Sequence, residues 1–421
     1  MRTNNPTGIR KPFRLIVLFI MAATYLNCPA QNTILPGGCL LALPTIEGYW
    51  QGKLKTGGTE LRVVFVIGRQ NDSLTAVIDS PDQYTKDIPT DKIWFQNDSL
   101  YIRSKTINAS YRGRYLRDKN IIRGHFSQNG MRFNMNLKKT ESRASWNRPQ
   151  TPQPPFPYQT EEVSFASLDT SVILHGTLCI PEGKGPFPII VMVSGSGWQD
   201  RDESLFGHQP FWVLADYLAR NGIASLRYDD RPGQATTYDL SLDAEGAFRL
   251  LQSDSRFIPV QTGIFGHSEG GTIAWMIAAR NRSVGFIISM GGVVEPMETM
   301  EYQLEKLGFE QEKIPEQIQS FRQNAWFDYF FNIKGKKLVR RTRCPVLAIN
   351  GSHDVQVPVK NVELMQKWSR PNPLSQFVIF PECNHLMQKC AEPTNEYGKI
   401  EQTIDPAVLE EIAKFIQKLS H

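Results

Sequence analysis

The sequence of 421 residues predicts an α/β protein in which an all-β antiparallel barrel or sandwich precedes a mostly parallel sheet with helices on both faces. Three observations support this fold class. Short extended runs between turn residues fill residues 46–140, a spacing typical of antiparallel meanders. Extended and helical runs alternate across residues 159–421, which indicates a parallel sheet. A proline-rich linker at residues 146–158 separates the two parts.

The first part, residues 46–140, contains five aromatic residues whose role is open on sequence alone. They form either the core of the β domain or a ligand-binding face, and the core is the commoner case. These residues are Trp50, Phe65, Trp94, Phe95 and Tyr101. Because the linker should hold the two parts separate, we expect a chain that begins near Tyr158 to fold and function without the first part.

Residues 1–30 have the pattern of a cleaved export signal. Basic residues without an acidic one precede the apolar stretch 15–23, which is too short to span a bilayer comfortably. Small side chains near Ala30 predict cleavage after that residue, giving a periplasmic or extracellular protein. The alternative is a lipoprotein attached through Cys28, although Asn27 departs from the usual signal. Four of the 47 basic residues lie in this segment, so the basic residues of the rest of the chain nearly balance its 42 acidic residues. This balance predicts no basic stripe for nucleic acid.

The stretch around Ser268 is the strongest chemical signal in the chain. A strand is predicted at residues 260–265, the motif Gly-His-Ser-Glu-Gly follows at 266–270, and a helical run comes next. Gly-x-Ser-x-Gly between a strand and a helix is the pattern of a nucleophile elbow, in which a sharp turn exposes the serine hydroxyl. The alternative is an ordinary glycine-rich turn with a helix-capping serine.

Two later residues complete a candidate catalytic triad with Ser268. Asp354 follows the predicted strand 345–350, and His385 follows the predicted strand 376–380. Sites in open α/β sheets form at the carboxyl ends of strands, so these three side chains should meet. The order serine, acid, histidine is that of α/β-hydrolases. Weaker candidates for the base are His353 and His267, and weaker candidates for the acid are Asp405 and Glu382.

A glycine-rich loop follows the predicted strand 189–193 and is the candidate for the oxyanion hole. The backbone N–H of Ser196 or Gly197 should join that of Glu269 there. Charged residues near this loop are expected to form salt bridges that hold the loops: Asp200, Arg201, Asp202, Arg227, Asp229, Asp230 and Arg231. No Cys/His spacing suggests zinc, and the predicted chemistry needs no metal or organic cofactor.

Three motifs give the chain a family resemblance. Ser-Gly-Ser-Gly with Asp-Arg-Asp at 194–202, Arg-Tyr-Asp-Asp-Arg at 227–231 and Gly-His-Ser-Glu-Gly-Gly at 266–271 resemble the bacterial α/β-hydrolase carboxylesterases of the esterase D type. That group is similar to dienelactone hydrolases and serine aminopeptidase-like hydrolases. The chain departs from the family at 231–234, where Arg-Pro-Gly-Gln replaces Arg-Gly-x-Gly.

The resemblance implies an exported serine esterase that acts on small-molecule esters, with the oligomeric state left open. Two alternatives remain at this stage. One is a peptidase or amidase with the same triad, and the other is a ligand-binding envelope protein with a vestigial hydrolase body. The segment 291–343 is rich in aromatic residues and has helical spacing, which predicts a helical cap over the site. The alternative is ordinary helices of the main domain. Cys383 and Cys390 bracket His385, and either a disulfide or two buried thiols fits that spacing.

Overall fold

The computed structural model describes residues 46–56, 59–143 and 146–419. The predicted signal segment 1–30, with Cys28 and the expected cleavage after Ala30, lies outside these ranges. Within them, the structure contains no helix with the length and apolar character needed to cross a bilayer.

Ten antiparallel strands form the first sheet. They are β1 (Gly48–Thr56), β2 (Thr59–Gln70), β3 (Ser73–Ser80), β4 (Thr85–Pro89), β5 (Lys92–Gln96), β6 (Ser99–Ser104), β7 (Ala109–Leu116), β8 (Ile121–Gln128), β9 (Met131–Asn134) and β10 (Leu137–Thr140). The strand order is β4-β3-β2-β1-β10-β8-β7-β6-β5, and β9 pairs with β8. Since β3 also contacts β5, the two ends of the sheet approach each other and the sheet is rolled around one core.

Successive side chains of a strand point to opposite faces of this sheet, so the aromatic residues named above lie on both faces. Trp50 and Phe65 are fully buried in the core, whereas Trp94 and Tyr101 lie on the outer face, where their rings stack. In β7 the buried and exposed positions alternate residue by residue, as a sheet with one buried face requires. Near the end of this sheet, β9 and β10 are separate strands, and β8 pairs with each of them in turn.

Eight strands form the second sheet, which is antiparallel at one end and parallel over the rest. They are β11 (Tyr158–Ala166), β12 (Ile173–Pro181), β13 (Phe187–Val193), β14 (Ala224–Tyr228), β15 (Phe257–His267), β16 (Phe286–Met290), β17 (Val346–Gly351) and β18 (Gln376–Phe380). The order is β11-β12-β14-β13-β15-β16-β17-β18. Strands β14, β16 and β17 and most of β13 are buried on both faces, as in parallel sheets, whereas the edge strand β18 is half-buried.

Helices cover both faces of this second sheet. The α-helices of the described ranges are α1 (Pro210–Arg220), α2 (Thr237–Ser253), α3 (Glu269–Arg280), α4 (Pro296–Lys306), α5 (Ile314–Phe321), α6 (Ala325–Phe331), α7 (Gly335–Arg341), α8 (Lys360–Trp368) and α9 (Pro406–Lys418). One core contains residues of α2, α3, α7 and α8, and the other contains residues of α1 and α9. This architecture is the α/β-hydrolase fold that the motifs predicted.

The aromatic segment predicted as a cap, residues 291–343, divides between two cores. Helices α4, α5 and α6 share a separate core that includes Leu304, Ile318 and Phe330. Helix α7 instead buries Val339 in the core of the main sheet, so it belongs to the main layer. A new helix begins after Asn324 because its side chain accepts the N–H of Trp326 at 2.9 Å, which separates α6 from α5.

The proline-rich linker does not keep the two sheets apart, contrary to the sequence prediction. Arg148 donates to the carbonyl oxygens of Phe206 at 2.7 Å and Gly398 at 2.9 Å. Tyr84, in the loop between β3 and β4, packs edge-on against Phe206 with ring centroids 6.0 Å apart. A Cβ atom at Gly398 would overlap the Tyr84 ring. The β domain is therefore packed against loops of the second sheet. The proline content of the linker did not predict this, because it gives no information on which residues the side chains contact.

Candidate active site

Ser268 lies at the sharp turn between β15 and α3. Its backbone has φ 54° and ψ −117°, a strained conformation for a residue with a side chain. A Cβ atom at Gly266 would overlap the Gly270 carbonyl, and one at Gly270 would overlap the Val193 carbonyl, so both positions require glycine. The Ser268 N–H donates to the Met290 carbonyl at 2.8 Å, which fixes the turn against the neighbouring strand. This geometry is that of a nucleophile elbow.

His385 and Asp354 form a buried hydrogen-bonded pair. The Nδ1 atom of His385 lies 2.7 Å from Oδ2 of Asp354, and each residue is only 3% exposed. The other carboxylate oxygen of Asp354 accepts the N–H groups of Gln356 at 2.7 Å and Val357 at 2.8 Å. With the carboxylate fixed as an acceptor, Nδ1 of His385 carries the proton and Nε2 is left to exchange one.

Ser268 and His385 border consecutive residues at the end of β16. Met290 accepts the Ser268 N–H, and the next residue, Gly291, has its Cα so close to His385 that a Cβ would lie 3.1 Å from the ring. The rival candidates have other partners. His353 contacts the Cys390 carbonyl, Asp405 caps α9, and Glu382 is exposed beside Lys389.

The loop after β13 lies directly against the elbow. A Cβ at Gly195 would be 3.3 Å from the Ser268 Cβ. The Gly195 N–H is already used, because it donates to Oε1 of Glu203 at 2.8 Å. Ser196 and Gly197, the predicted oxyanion-hole residues, follow next along the loop, and Glu269 is the first residue of α3. The assignment of these three N–H groups to an oxyanion hole stays a prediction.

A second carboxylate–histidine pair lies behind the elbow, and the sequence analysis missed its acid. Oε1 of Glu203 is 2.8 Å from Nδ1 of His267, while Nε2 of His267 lies 3.1 Å from the His385 carbonyl oxygen. Both neighbours are acceptors, so the ring donates from both nitrogens. Burial lowers the pKa of His267, but the Glu203 carboxylate outweighs it and the net shift is upward. Glu203 directly follows the Asp-Arg-Asp run, which was the available signal.

The Glu269 side chain connects the elbow to the cap. Its Oε1 accepts the indole N–H of Trp326 in α6 at 2.8 Å. Burial raises the pKa of Glu269 to about 7, although the Thr237 hydroxyl and the Trp326 indole act in the opposite direction. A second link runs from α4, where the Tyr302 hydroxyl donates to the Asp354 carbonyl at 2.8 Å. Helices α6 and α4 are therefore attached to Glu269 and to the candidate acid, respectively.

The predicted salt bridges that hold the loops are confirmed for three arginines. Arg201 pairs with Asp229 at 2.6 Å, Arg231 pairs with Asp243, and Arg227 pairs with Asp202. Asp230 has a different role, because it accepts the N–H of Gln199 at 2.8 Å and the hydroxyl of Ser194 at 3.0 Å. Burial raises the pKa of Asp230 well above its usual range.

Cys383 and Cys390 are free thiols, so no disulfide braces the histidine loop. Backbone pairing holds that loop instead. Residues Cys383 and Lys389 form an antiparallel bridge, and the Cys390 N–H donates to the Glu382 carbonyl at 2.8 Å. Burial raises the pKa of the Cys383 thiol to about 12, which keeps it protonated and unreactive.

Comparison with known proteins places this chain among hydrolases. Residues 233–405 match the model of the prolyl oligopeptidase family. The esterase EstD of Thermotoga maritima is 30% identical over 294 residues, which is 62% of this chain and 70% of that protein.

Three solved structures resemble the chain at low identity. The 2,6-dihydroxy-pseudo-oxynicotine hydrolase is 20% identical with a TM-score of 0.40, over 54% of this chain and 62% of that one. Est1E of Butyrivibrio proteoclasticus is 16% identical with a TM-score of 0.44, over 61% and 98%. The dienelactone hydrolase of Anabaena variabilis is 20% identical with a TM-score of 0.41, over 62% and 97%.

The parallel sheet and the elbow at its centre define an enzyme of the α/β-hydrolase class. Within that class the relationship to the Thermotoga maritima protein is close and long enough to be specific. The chain belongs to the EstD esterase family.

Proposed function

We propose that this protein is an exported serine hydrolase that cleaves carboxylic ester bonds through an acyl-enzyme intermediate. The observation that carries the proposal is the strained turn at Ser268, beside a His385–Asp354 pair with a 2.7 Å hydrogen bond. Membership of the EstD family supports ester hydrolysis as the reaction. The N-terminal pattern of residues 1–30 supports export.

In this mechanism the Ser268 hydroxyl attacks the ester carbonyl while Nε2 of His385 takes its proton. Asp354 accepts the Nδ1–H and stabilises the imidazolium that forms. The negative charge on the carbonyl oxygen is held by the N–H of Glu269 together with that of Ser196 or Gly197. His385 then gives the proton to the departing alcohol, leaving the acyl group on Ser268.

The second half of the cycle repeats these roles with water. His385 removes a proton from water as it attacks the acyl carbon, and then returns that proton to Ser268 as the carboxylic acid leaves. The cap of α4–α6 bounds the substrate, since Trp326 is bonded to Glu269 next to the nucleophile. An aromatic boundary of this kind selects acyl or alcohol groups by shape and excludes water.

A peptidase or amidase is the second candidate. The match of residues 233–405 to the prolyl oligopeptidase family favours it, because the region includes all three triad candidates. The triad chemistry is the same for both bonds, so the choice rests on the pocket and on leaving-group protonation.

Active-site labelling combined with a substrate panel tests the proposal. A fluorophosphonate probe should label the parent protein at Ser268 and should not label Ser268→Ala, which should remain folded. Short nitrophenyl esters should be hydrolysed with a higher kcat/KM than peptide anilides. A parent protein that resists labelling would favour a ligand-binding protein with a vestigial hydrolase body, and faster anilide cleavage would favour the peptidase.

The export proposal has a separate test in the intact mass of the protein from its native source. A chain that begins at Gln31 supports cleavage after Ala30. A diacylglycerol adduct on Cys28 would instead show a lipoprotein.

A further inference from the structure

The outer face of β7 and β8 carries a compact group of basic side chains. We call it the basic face: Arg112, Arg114, Arg123, His125 and, from β9, Arg132. In β7 the two arginines alternate with buried residues, so both point to the outer face, and both are exposed. The register then places Arg114 opposite Arg123 and Arg112 opposite His125. The near-neutral charge of residues 31–421 predicted no basic stripe for nucleic acid, and strand pairing places these basic side chains together on one face.

The basic face has no neutralising carboxylates. Among the described residues, no acidic side chain forms an ion pair with its arginines. The two acids next to β5 are already used, since Asp91 pairs with Arg103 and Asp98 pairs with Arg117. Like charges directly opposite in an antiparallel pair are destabilising. The pKa of His125 reflects the same field, because burial and the nearby Arg132 and Arg112 lower it. Arg112 contacts the Tyr101 ring and Arg132 lies 3.0 Å from the His125 ring nitrogen, whereas the opposed pair Arg114 and Arg123 has no carboxylate partner among the described residues. A like-charge pair of this kind fits an external anion.

The neighbouring aromatic residues narrow the kind of anion. Trp94 stacks on Tyr101 with ring centroids 5.7 Å apart and 23° between the planes, and the Arg112 guanidinium lies 5.5 Å from the Tyr101 centroid. Tyr101 is thus engaged by both Trp94 and Arg112, and one face of Trp94 is covered by Tyr101, whereas single-stranded nucleic acid binds to open ring faces. Insertion into a bilayer requires apolar side chains, whereas the basic face presents guanidinium groups. A membrane surface is therefore the less suitable partner.

We propose that the basic face binds an anionic polysaccharide, through guanidinium contacts to carboxylate or sulfate groups repeated along the glycan. Alternate residues of one strand are about 7 Å apart and cross-strand neighbours about 5 Å. The arginines therefore form a two-dimensional array that matches charges repeated along an extended chain. Each planar guanidinium can hold one carboxylate or sulfate group through two parallel hydrogen bonds. This inference does not depend on the proposed catalytic mechanism.

The test measures binding of fluorescein-labelled heparin and polygalacturonate to the full chain, with neutral dextran as the uncharged comparison. Parent protein should bind both anionic glycans, more weakly as salt rises, and should not bind dextran. The double variant Arg114→Ser/Arg123→Ser should bind at least about tenfold more weakly, because two charge-assisted contacts are lost. Its Tm should not fall, since the change removes a like-charge pair.

The matched control removes two positive charges elsewhere. Lys337 and Lys367 are exposed on α7 and α8, so Lys337→Gln/Lys367→Gln should bind heparin within about twofold of the parent. Equal weakening in both double variants would show a non-specific charge effect and overturn the proposal. Tighter binding of oligo(dT) or of anionic phospholipid vesicles than of either glycan would overturn the assignment of the partner.

Discussion

The rings of His267 and His385 lie against each other, with centroids 4.7 Å apart and an angle of 42° between their planes. His267 also donates to the His385 backbone carbonyl, while Glu203 joins His267 to the Gly195 N–H through one carboxylate oxygen. One buried acid thus connects the predicted oxyanion loop, the residue before Ser268 and the candidate base. Glu203 touches no reacting atom in this arrangement, so its role is positioning.

Glu203→Gln should therefore lower kcat with little change in KM. A neutral residue at 203 removes the counter-ion of His267, which then keeps only one ring N–H and cannot donate to both of its acceptors. We expect a loss of about 10- to 100-fold in kcat, less than removal of an oxyanion donor costs. Steady-state kinetics on a short nitrophenyl ester measure the effect.

Glu162→Gln is the matched control for that change. Glu162 is a largely exposed carboxylate that pairs with Arg201 at 2.6 Å, at the same loop but away from His267. It should retain parental kcat. A Glu203→Gln enzyme with unchanged kcat would show that the pair has no role in positioning the site.

Asp354→Asn should lower kcat by about 10⁴-fold while the protein stays folded. The asparagine would present an N–H group to Nδ1 of His385, which favours the wrong tautomer for taking the serine proton. Asp405→Asn serves as the control, because Asp405 caps α9 by accepting the Ala407 N–H at 2.9 Å. If Asp405→Asn lost activity and Asp354→Asn kept it, the acid would have been assigned to the wrong residue.

The contact between the β domain and the catalytic sheet predicts that the front domain supports activity. Tyr84 packs on Phe206, and Phe206 packs on Tyr397. The Tyr397 hydroxyl accepts a hydrogen bond from the Gln356 side-chain amide. The backbone N–H of Gln356 in turn donates to the Asp354 carboxylate. Tyr84→Ala should lower the free energy of unfolding by about 2 kcal/mol and reduce kcat/KM severalfold.

Tyr101→Ala, on the outer face of the same domain, should leave kcat/KM at the parental value. A chain beginning at Tyr158 should be less soluble and slower on short esters, since it exposes Phe206 and lacks the Arg148 contacts. Full activity of that shortened chain would show that the β domain is independent of the site.

The parts of this structure that the sequence predicts are those set by local pattern. The elbow follows from glycines spaced around Ser268, and β18 (Gln376–Phe380) has the bounds expected from its apolar run. The edge strand β4 has no such local signal, because it is mostly polar and ends in Pro89.

The missed features of the site are tertiary pairings. Glu203 and His267 are separated by 64 residues, and Glu269 meets Trp326 across 57 residues. No local periodicity encodes such contacts. The docking of Arg148 on Gly398 is of the same kind, since proline content indicates stiffness but not what a segment packs against.

The buried Glu269 carboxyl should make the protein less stable as the pH rises. Its pKa is about 7 in the folded protein against an ordinary value of 4.5. Between these values the folded state binds more protons than the unfolded state, so the free energy of unfolding falls with increasing pH and levels off above about pH 7. A pKa shift of this size lowers the free energy of unfolding by roughly 3 kcal/mol between low pH and pH above 7.

Glu269→Gln isolates this contribution, because a glutamine stays neutral at every pH and its amide oxygen can still accept the Trp326 indole N–H. Urea unfolding at pH 5 and pH 8 should show a smaller loss of stability for the variant than for the parent. Some loss should remain, since burial also raises the pKa of Asp230. Glu301→Gln, on the exposed surface of α4, should keep the parental difference between the two pH values. An unchanged difference in Glu269→Gln would mean that this carboxyl is ionised in the folded protein at pH 5, and that its bond to Trp326 is made by the charged form.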